Sequence, residues 1–258
     1  ASDGEFPSVV YAWQAVERSR GIQLKLVPTS DGLLNENALM DALDWPRVRA
    51  VTVSSVSFAT GYKVDLERLG TACRKRQIHL VVDAIQGLGP ATLNARASGA
   101  DIVACGGYKW LLSPWGTGFL YIREELIEQL DPPVVGWFIG PGSENFARLL
   151  DYNLTYFNDA RRFELMALPA QDLAAMARSV ELLLELGPDA VERYVRTLAD
   201  RIVAWALDRT EMRLITPAES SRRAGIVAIV PPNPHEASKR LRAAGVVHSL
   251  REGAIRLA

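Results

Sequence analysis

Apolar residues along the first third of the chain follow two spacings, one typical of helices and one typical of buried strands. Residues 8–20 carry apolar side chains at helical spacing and end at Gly21, a residue type suited to the left-handed turn after a helix. Short apolar runs predict strands at 22–27, 48–53 and 78–82. Helices alternating with such strands predict βαβ units, and therefore a parallel sheet with right-handed crossovers.

Capping residues and later apolar runs extend this pattern. Asn35 is placed to cap a helix that runs to about residue 43, and Asp65 is placed to begin a helix that ends near residue 77. Further short strands are predicted at 101–104 and 118–122.

The second half of the chain has a different pattern. Residues 132–158 are rich in Pro, Gly, Asn and aromatic side chains, which is typical of a linker or an active-site loop. Two amphipathic helices are predicted at 169–186 and 188–208. The remaining elements are predicted as a strand, a helix and two strands, at 226–230, 235–244, 246–250 and 254–257.

Together these elements predict an α/β fold with a mostly parallel sheet flanked by helices and a smaller α+β domain. Residues 1–131 are expected to form the large domain, 132–168 the linker and active-site loops, and 169–258 the small C-terminal domain. Parallel sheets bind ligands outside the carboxyl ends of their strands, so candidate chemistry is expected there.

Composition narrows the classes of partner. The chain has 258 residues, 48% of them apolar, and a net charge of −1, which favours small metabolites over nucleic acid or an anionic membrane surface. No apolar run is long enough to span a bilayer. Two cysteines without metal or disulfide spacing suit the cytoplasm. The chain lacks an initiator Met, and we expect that upstream sequence has been removed.

Two charged residues stand out because each lies at the end of a predicted strand. Asp83 closes the run Ile78-His79-Leu80-Val81-Val82, and Lys109 follows the next strand within Gly106-Gly107-Tyr108-Lys109-Trp110. An amine and a carboxylate at one sheet edge are what a pyridoxal phosphate site needs: the amine forms a Schiff base, and the carboxylate holds the ring nitrogen protonated. Gln86, one turn after Asp83, could reach the phenolic oxygen.

Each of these residues also has an ordinary structural interpretation. Asp83 could cap the turn that follows its strand, and most lysines lie at the surface. The setting of Lys109 favours chemistry, because its neighbours are glycines, aromatic residues and leucines, and an amine in apolar surroundings has a lowered pKa and is nucleophilic near neutral pH.

The chain resembles the class V aminotransferase group of fold-type I pyridoxal phosphate enzymes, which includes cysteine desulfurases, kynureninases and enzymes similar to isopenicillin N epimerase. The resemblance extends over almost the whole chain. The motifs that carry it are residues 53–61, Asp83-Ala84-Ile85-Gln86-Gly87, Gly106-Gly107-Tyr108-Lys109-Trp110 and Gly116-Thr117-Gly118.

The resemblance implies a role for individual residues. Lys109 matches the Schiff-base lysine, Asp83 the partner of the ring nitrogen, and Gln86 the residue near the phenolic oxygen. Phe6 matches the residue that stacks on the cofactor, although it could instead be a hydrophobic staple at the start of a helix. Arg251 matches the arginine that holds the substrate carboxylate in two parallel bonds, although it could be an exposed arginine.

The chain departs from the family pattern at several positions. Gly106 and Tyr108, which we expect to line the cofactor, stand where many relatives have Ser and His. Phe58 stands where desulfurases commonly have Asn, and Met166-Ala167 replaces the Gly-Thr pair that usually follows the motif at residues 162–164. The N-terminal segment of the family, with its phosphate-binding loop, is not part of this sequence.

The resemblance implies an enzyme that acts on the α-carbon of an amino acid, an aminotransferase of class V type. Epimerisation, elimination as a C–S or C–N lyase, and a truncated non-catalytic relative stay open as alternatives. A desulfurase is disfavoured, because Cys73 lies in a predicted helix, Cys105 lies at a strand end, and neither suits a mobile loop. The three histidines lack metal-ligand spacing. The family further implies a homodimer.

Overall fold

The structure is a computed structural model that describes residues 1–164 and 168–258. The described α-helices are α1 (Pro7–Arg20), α2 (Glu36–Ala42), α3 (Leu66–Lys75), α4 (Glu124–Ile127), α5 (Ala170–Leu186), α6 (Pro188–Leu207) and α7 (Pro234–Ala243). The described strands are β1 (Ala50–Ser54), β2 (His79–Asp83), β3 (Ile102–Gly106), β4 (Gly118–Ile122), β5 (Arg213–Leu214), β6 (Val227–Val230), β7 (Ser249–Arg251) and β8 (Ala254–Leu257). The replacement at Met166-Ala167 lies outside the described residues.

The first sheet has the strand order β1-β2-β3-β4. Its first three strands are parallel and β4 is antiparallel to β3, which confirms the predicted mostly parallel sheet. Ser54 pairs with Asp83, and Asp83 pairs with Ala104, so the carboxyl ends of the three parallel strands lie at one edge. Apolar residues buried at 0–1% exposure, such as Leu80, Val82 and Val103, fix this register, because a slip of one residue would reverse every side chain.

The second sheet is antiparallel, with the order β5-β6-β8-β7. Helix α6 covers it with the small buried side chains Ala199, Val203 and Ala206, which pack on Val227 and Ile229. This arrangement confirms the small α+β unit expected from the second half of the chain, and the domain limits at residues 131 and 169 stay predictions. No helix among residues 1–164 and 168–258 is both long and apolar enough to cross a bilayer.

Several predicted helix boundaries are correct because local chemistry sets them. Gly21 adopts φ 66° after α1 and donates its backbone N–H to the Glu17 carbonyl. The Asn35 and Asp65 side chains accept backbone N–H bonds at the starts of α2 and α3.

Two predicted strands are wrong in extent. Residues 22–27 form no strand, and only Val27 makes an isolated bridge, with Ser2. The apolar pattern was suitable, but a strand also needs a neighbouring backbone to pair with along its length. The strand expected at 246–250 is shortened to β7, because the Val246 N–H bonds to the Leu241 carbonyl and closes the end of α7.

One buried carboxylate joins the C-terminal region (residues 168–258) to the first sheet's loops. Glu192 of α6 accepts the Thr92 backbone N–H and hydroxyl at 2.8 Å each and pairs with Lys63 at 3.2 Å. Burial alone would raise the pKa of this carboxyl, but these hydrogen bonds and the Lys63 charge outweigh it and lower the pKa to about 2.

Replacing Glu192 by Gln should lower the free energy of unfolding at neutral pH by about 1–3 kcal/mol, because charge-assisted hydrogen bonds are lost. The carboxyl has a folded-state pKa of about 2, below its usual value of 4.5, so its stabilisation is present above the usual pKa and is lost as the pH falls toward the folded value. Urea unfolding at neutral pH and at about pH 3 measures both effects.

Glu181→Gln is the matched control. Glu181 is exposed on α5, where it pairs with Arg178 at 2.9 Å, and its loss should change stability by less than about 0.5 kcal/mol. Equal losses for the two variants would contradict the assignment of Glu192 as an internal link.

Candidate active site at the carboxyl edge of the first sheet

The sheet topology brings the two charged residues singled out in the sequence to one edge. Asp83 is the last residue of β2, and Lys109 lies three residues beyond the end of β3. Each group influences the pKa of the other, as expected of neighbouring opposite charges. Among the described residues they form no ion pair within 4.0 Å, so the two groups are near each other without being in direct contact.

The Lys109 amine lies in a half-buried, aromatic setting. Its Nζ is 5.7 Å from the ring centre of Phe6 and 5.9 Å from that of Tyr108. Burial lowers the pKa of the amine, the Asp83 charge raises it, and the charges of Arg256 and Arg251 lower it further. The net shift is downward, which increases the fraction of neutral, nucleophilic amine near neutral pH.

The Asp83 carboxyl is held at the strand end by its own turn. Its Oδ1 accepts the backbone N–H of Ile85 at 2.9 Å. Burial raises the pKa of this carboxyl, whereas the Ile85 hydrogen bond and the Lys109 charge lower it, and the net shift is upward. A carboxylate in this state gains most from a cationic N–H partner, because such a partner compensates for the lost hydration.

Gln86 is buried, with 6% of its surface exposed, and its Oε1 accepts the indole N–H of Trp110 at 3.0 Å. In the described part of the chain its amide nitrogen donates to no side chain or backbone group. The residue can therefore supply a hydrogen-bond donor to a ligand oxygen.

Two glycines before the lysine allow the close packing of its loop. A Cβ on Gly106 would lie 2.9 Å from both Ile85 Cδ1 and Tyr108 Cε1, and one on Gly107 would lie 2.6 Å from Thr117 Oγ1. Gly106 thus stands where a Ser would require its neighbours to move. The Tyr108 ring stacks on Trp115 with 4.4 Å between ring centres, which orients it beside Lys109.

The remaining predicted residues meet at one aromatic side chain. Phe6 contacts Phe58 edge to face, with ring centres 5.1 Å apart. The Arg251 guanidinium lies 5.6 Å from the same Phe58 ring and is otherwise exposed. Phe6 also stands at the N-cap position of α1, so its packing and site interpretations are compatible.

The structure adds Arg256 to this site, a residue that the sequence did not single out as functional. Arg256 on β8 is half-buried, its Nε is buried without a hydrogen-bond partner among the described residues, and its charge affects Lys109 more than that of Arg251 does. A charged residue within an otherwise apolar predicted strand was the signal available in the sequence.

The structure also adds Glu5. The Glu5 carboxylate accepts the Ser54 backbone N–H at 3.0 and 3.1 Å, and it thereby holds the neighbouring Phe6 at the edge of the sheet. Burial raises the pKa of the Glu5 carboxyl, the Ser54 hydrogen bonds lower it, and the Asp83 charge raises it; the net shift is upward.

Two large clefts lie elsewhere in the molecule. One, of about 900 Å³, lies between the loops after β1 and β2 and the helices α5 and α6; the other, of about 830 Å³, lies beside α1 and β1. Neither is lined by Lys109 or Asp83. Size alone would favour these clefts, but the chemically distinctive groups converge at the carboxyl edge instead, where parallel sheets bind ligands.

Comparison with known proteins identifies the family. Residues 1–255 match the family described as Aminotransferase class-V. The uncharacterized aminotransferase YcbU of Bacillus subtilis is 28% identical over 257 residues, which cover 100% of this chain and 66% of that protein. Isopenicillin N epimerase of Streptomyces clavuligerus is 29% identical over 248 residues, which cover 93% of this chain and 61% of that protein.

The fold is shared with solved structures. An apo structure of cysteine desulfurase from Thermococcus onnurineus matches with a TM-score of 0.83 at 24% identity, covering 97% of this chain and 64% of that one. The chain spans less than two thirds of the length of that desulfurase and of the epimerase. The match over residues 1–255 shows that the chain belongs to the aminotransferase class-V family of pyridoxal phosphate enzymes, as its sequence predicted.

Proposed function

We propose that this chain carries the lysine-centred site of a pyridoxal phosphate enzyme that acts on the α-carbon of an amino acid, as an aminotransferase of class V type. The observation that carries the proposal is the half-buried Lys109 amine, which lies beside the rings of Phe6 and Tyr108. Its pKa responds to the charges of Asp83, Arg256 and Arg251. An amine, a carboxylate and two cations that interact electrostatically are groups suited to hold such a cofactor and an amino acid.

The side chains of the candidate site match the polar groups of the cofactor one by one. The Asp83 carboxylate would accept the ring N–H, the free Gln86 amide nitrogen would donate to the phenolic oxygen, and Lys109 would hold the aldehyde carbon through its amine. Phe6 would cover one ring face, and Tyr108 and Gly106 would border the lysine loop.

When bound, pyridoxal phosphate supplies an electron sink for charge that develops at the substrate α-carbon. The chain's own groups do the remaining work. Asp83 would keep the proton on the ring nitrogen, where positive charge strengthens that sink. Lys109, with its lowered pKa, would take a proton from the α-carbon and return it, a transfer that contributes on the order of 100- to 10,000-fold in rate.

The substrate carboxylate would bind the arginines. Arg251 reaches the site beside Phe58, and Arg256 is better desolvated and has an Nε free of partners among the described residues. Two guanidinium groups near one another repel, and burial together with Arg251 lowers the pKa of Arg256. A carboxylate between them would relieve that repulsion.

Epimerisation and elimination remain alternatives, because each begins with the same proton transfer from the α-carbon. The similarity to isopenicillin N epimerase supports keeping the first of these. Desulfurase chemistry stays disfavoured: Cys73 and Cys105 are buried, and burial, as the largest cause, raises the pKa of Cys73 to about 11 and that of Cys105 to about 12. The non-catalytic alternative is less favoured, because the chain retains Lys109, Asp83, Gln86 and Arg251 together.

The proposal includes a homodimer and a cytoplasmic location. Several large apolar side chains between residues 134 and 154 are exposed, among them Phe146 at 67% and Leu150 at 80%, and such a surface suits an interface with a second copy. Both cysteines are free, which suits a reducing compartment.

Adding pyridoxal phosphate to the protein should produce an absorbance band that borohydride fixes onto Lys109, because a neutral amine attacks the aldehyde. Peptide mapping by mass spectrometry identifies the labelled residue. Lys109→Ala should abolish the band, while Lys75→Ala, which replaces an exposed lysine on α3, should leave it unchanged. Loss of the band in both variants, or in neither, would argue against the proposed site.

The Lys109 amine should react with an acylating reagent at lower pH than exposed lysines do, because burial lowers its pKa. Arg256→Gln should raise the pH midpoint of Lys109 labelling, since it removes a nearby positive charge. Competitive acylation of the cofactor-free protein, read by mass spectrometry with Lys75 as the internal reference, measures both. A midpoint equal to that of Lys75 would contradict the proposed environment.

Arg251→Ala and Arg256→Ala should each reduce kcat/KM for an amino acid substrate by roughly 30- to 1,000-fold, the equivalent of about 2–4 kcal/mol for a lost charge-assisted carboxylate contact. The loss should be larger for Arg256, which is the more desolvated of the two. Decarboxylated amines serve as the control substrate, because they should lose little. A variant equally impaired toward both substrates would indicate a structural role.

A further inference from the structure

The hydrogen bond between the Trp110 indole and Gln86 has no role in the proposed function as described above. Its N–H donates to Gln86 Oε1 at 3.0 Å. We propose that Trp110 is a positioning residue that fixes the side-chain amide of Gln86 with its oxygen inward, so that the amide nitrogen is the group left to donate to a bound oxygen. This inference rests on the proposed function.

The reasoning depends on what each group can do. An indole nitrogen can only donate a hydrogen bond, whereas an amide can present either its oxygen or its nitrogen. With the oxygen committed to Trp110, rotation of the Gln86 amide would place two donors together and leave a buried oxygen unpaired, at a cost of about 1–3 kcal/mol. Gln86 is 6% exposed, so water cannot easily replace the lost partner.

The position of Trp110 is itself fixed from two sides. A Cβ on Gly89, in the loop after β2, would lie 2.7 Å from Trp110 Cβ, and a Cβ on Gly225, just before β6, would lie 2.6 Å from Trp110 Cη2. Only glycine at these positions leaves room for the side chain as it stands. The orientation of Gln86 is therefore tied to the contact between the first sheet's loops and the C-terminal region.

The chemical consequence concerns the phenolic oxygen of the cofactor. A neutral donor that is held in place stabilises the ionised form of an oxygen and lowers its pKa. Loss of the Trp110 N–H would free the amide to rotate and would weaken that donation, even though Trp110 itself does not touch the oxygen. An effect of Trp110 that disappears when Gln86 is absent is the signature of action through Gln86.

Four variants test this inference: Trp110→Phe, which keeps a ring and removes the N–H, Gln86→Ala, the double variant, and Trp205→Phe. Trp205 is the matched control, since it lies on α6, has no role in the candidate site and is 45% exposed. The measurement is the pH midpoint of the absorbance change of pyridoxal phosphate bound to each protein. Trp110→Phe and Gln86→Ala should both raise the midpoint by about one pH unit, and Trp205→Phe should not.

The double variant decides between action through Gln86 and a separate effect. Its midpoint should equal that of Gln86→Ala. A Trp110→Phe shift of the same size in both backgrounds, or no shift at all, would overturn the inference while leaving the proposed function standing.

A second measurement needs no bound cofactor. In the cofactor-free protein, Gln86→Ala should accelerate hydrogen exchange of the Trp110 indole N–H by more than about tenfold, because that proton loses its acceptor; proton NMR records the rate. Unchanged exchange would overturn the inference. Absence of any absorbance band in the unmodified protein would instead refute the proposed function, so the two failures are distinguishable.

Discussion

The half-buried Lys109 amine interacts electrostatically with one carboxylate and two guanidinium groups, and the candidate site depends on that balance of charge. Burial and the two arginines lower the pKa of Lys109, while Asp83 raises it. Both influences serve the chemistry: Asp83 gives the amine an acidic counterpart, and burial lowers the pKa of the amine and so makes it a better nucleophile. Burial at this edge also raises the pKa of Asp83. A ligand with opposite charges at its two ends would therefore stabilise the charged forms of both Asp83 and Lys109.

The fold supplies the geometry for this balance. Parallel pairing of β1, β2 and β3 brings Ser54, Asp83 and Ala104 into one row, and the lysine loop continues from the third of these strands. The antiparallel β4 returns alongside β3 and closes the loop through the Gly107 and Thr117 backbones, which bond at 2.9 Å. The second sheet contributes the arginines from β7 and β8. The charges therefore meet because two separately stabilised sheets hold them.

Features fixed by nearby residues could be predicted from the sequence. Helix starts at Asn35 and Asp65, the turn at Gly21 and the strand that ends in Asp83 all depend on neighbours within a few positions. Phe6 and Arg251 lie near Lys109 although they are distant from it in sequence, and the family resemblance, not local spacing, was the basis for predicting them. The strand expected at 22–27 failed because strand formation depends on a backbone partner that periodicity cannot reveal.

The parts that could not be predicted all involve contacts between distant segments. Arg256 gains its role from the packing of the second sheet near Lys109, which the sequence does not show, although an arginine within an apolar predicted strand marks the position. The contact of Trp110 with Gln86 spans 24 positions and depends on Gly225, more than a hundred residues further on. Such contacts determine how hydrogen-bond donors are oriented and how far pKa values are shifted, and both affect which reaction a site can catalyse. A family motif can thus identify the cofactor while leaving the reaction open, because reaction choice depends on contacts that lie outside the motif.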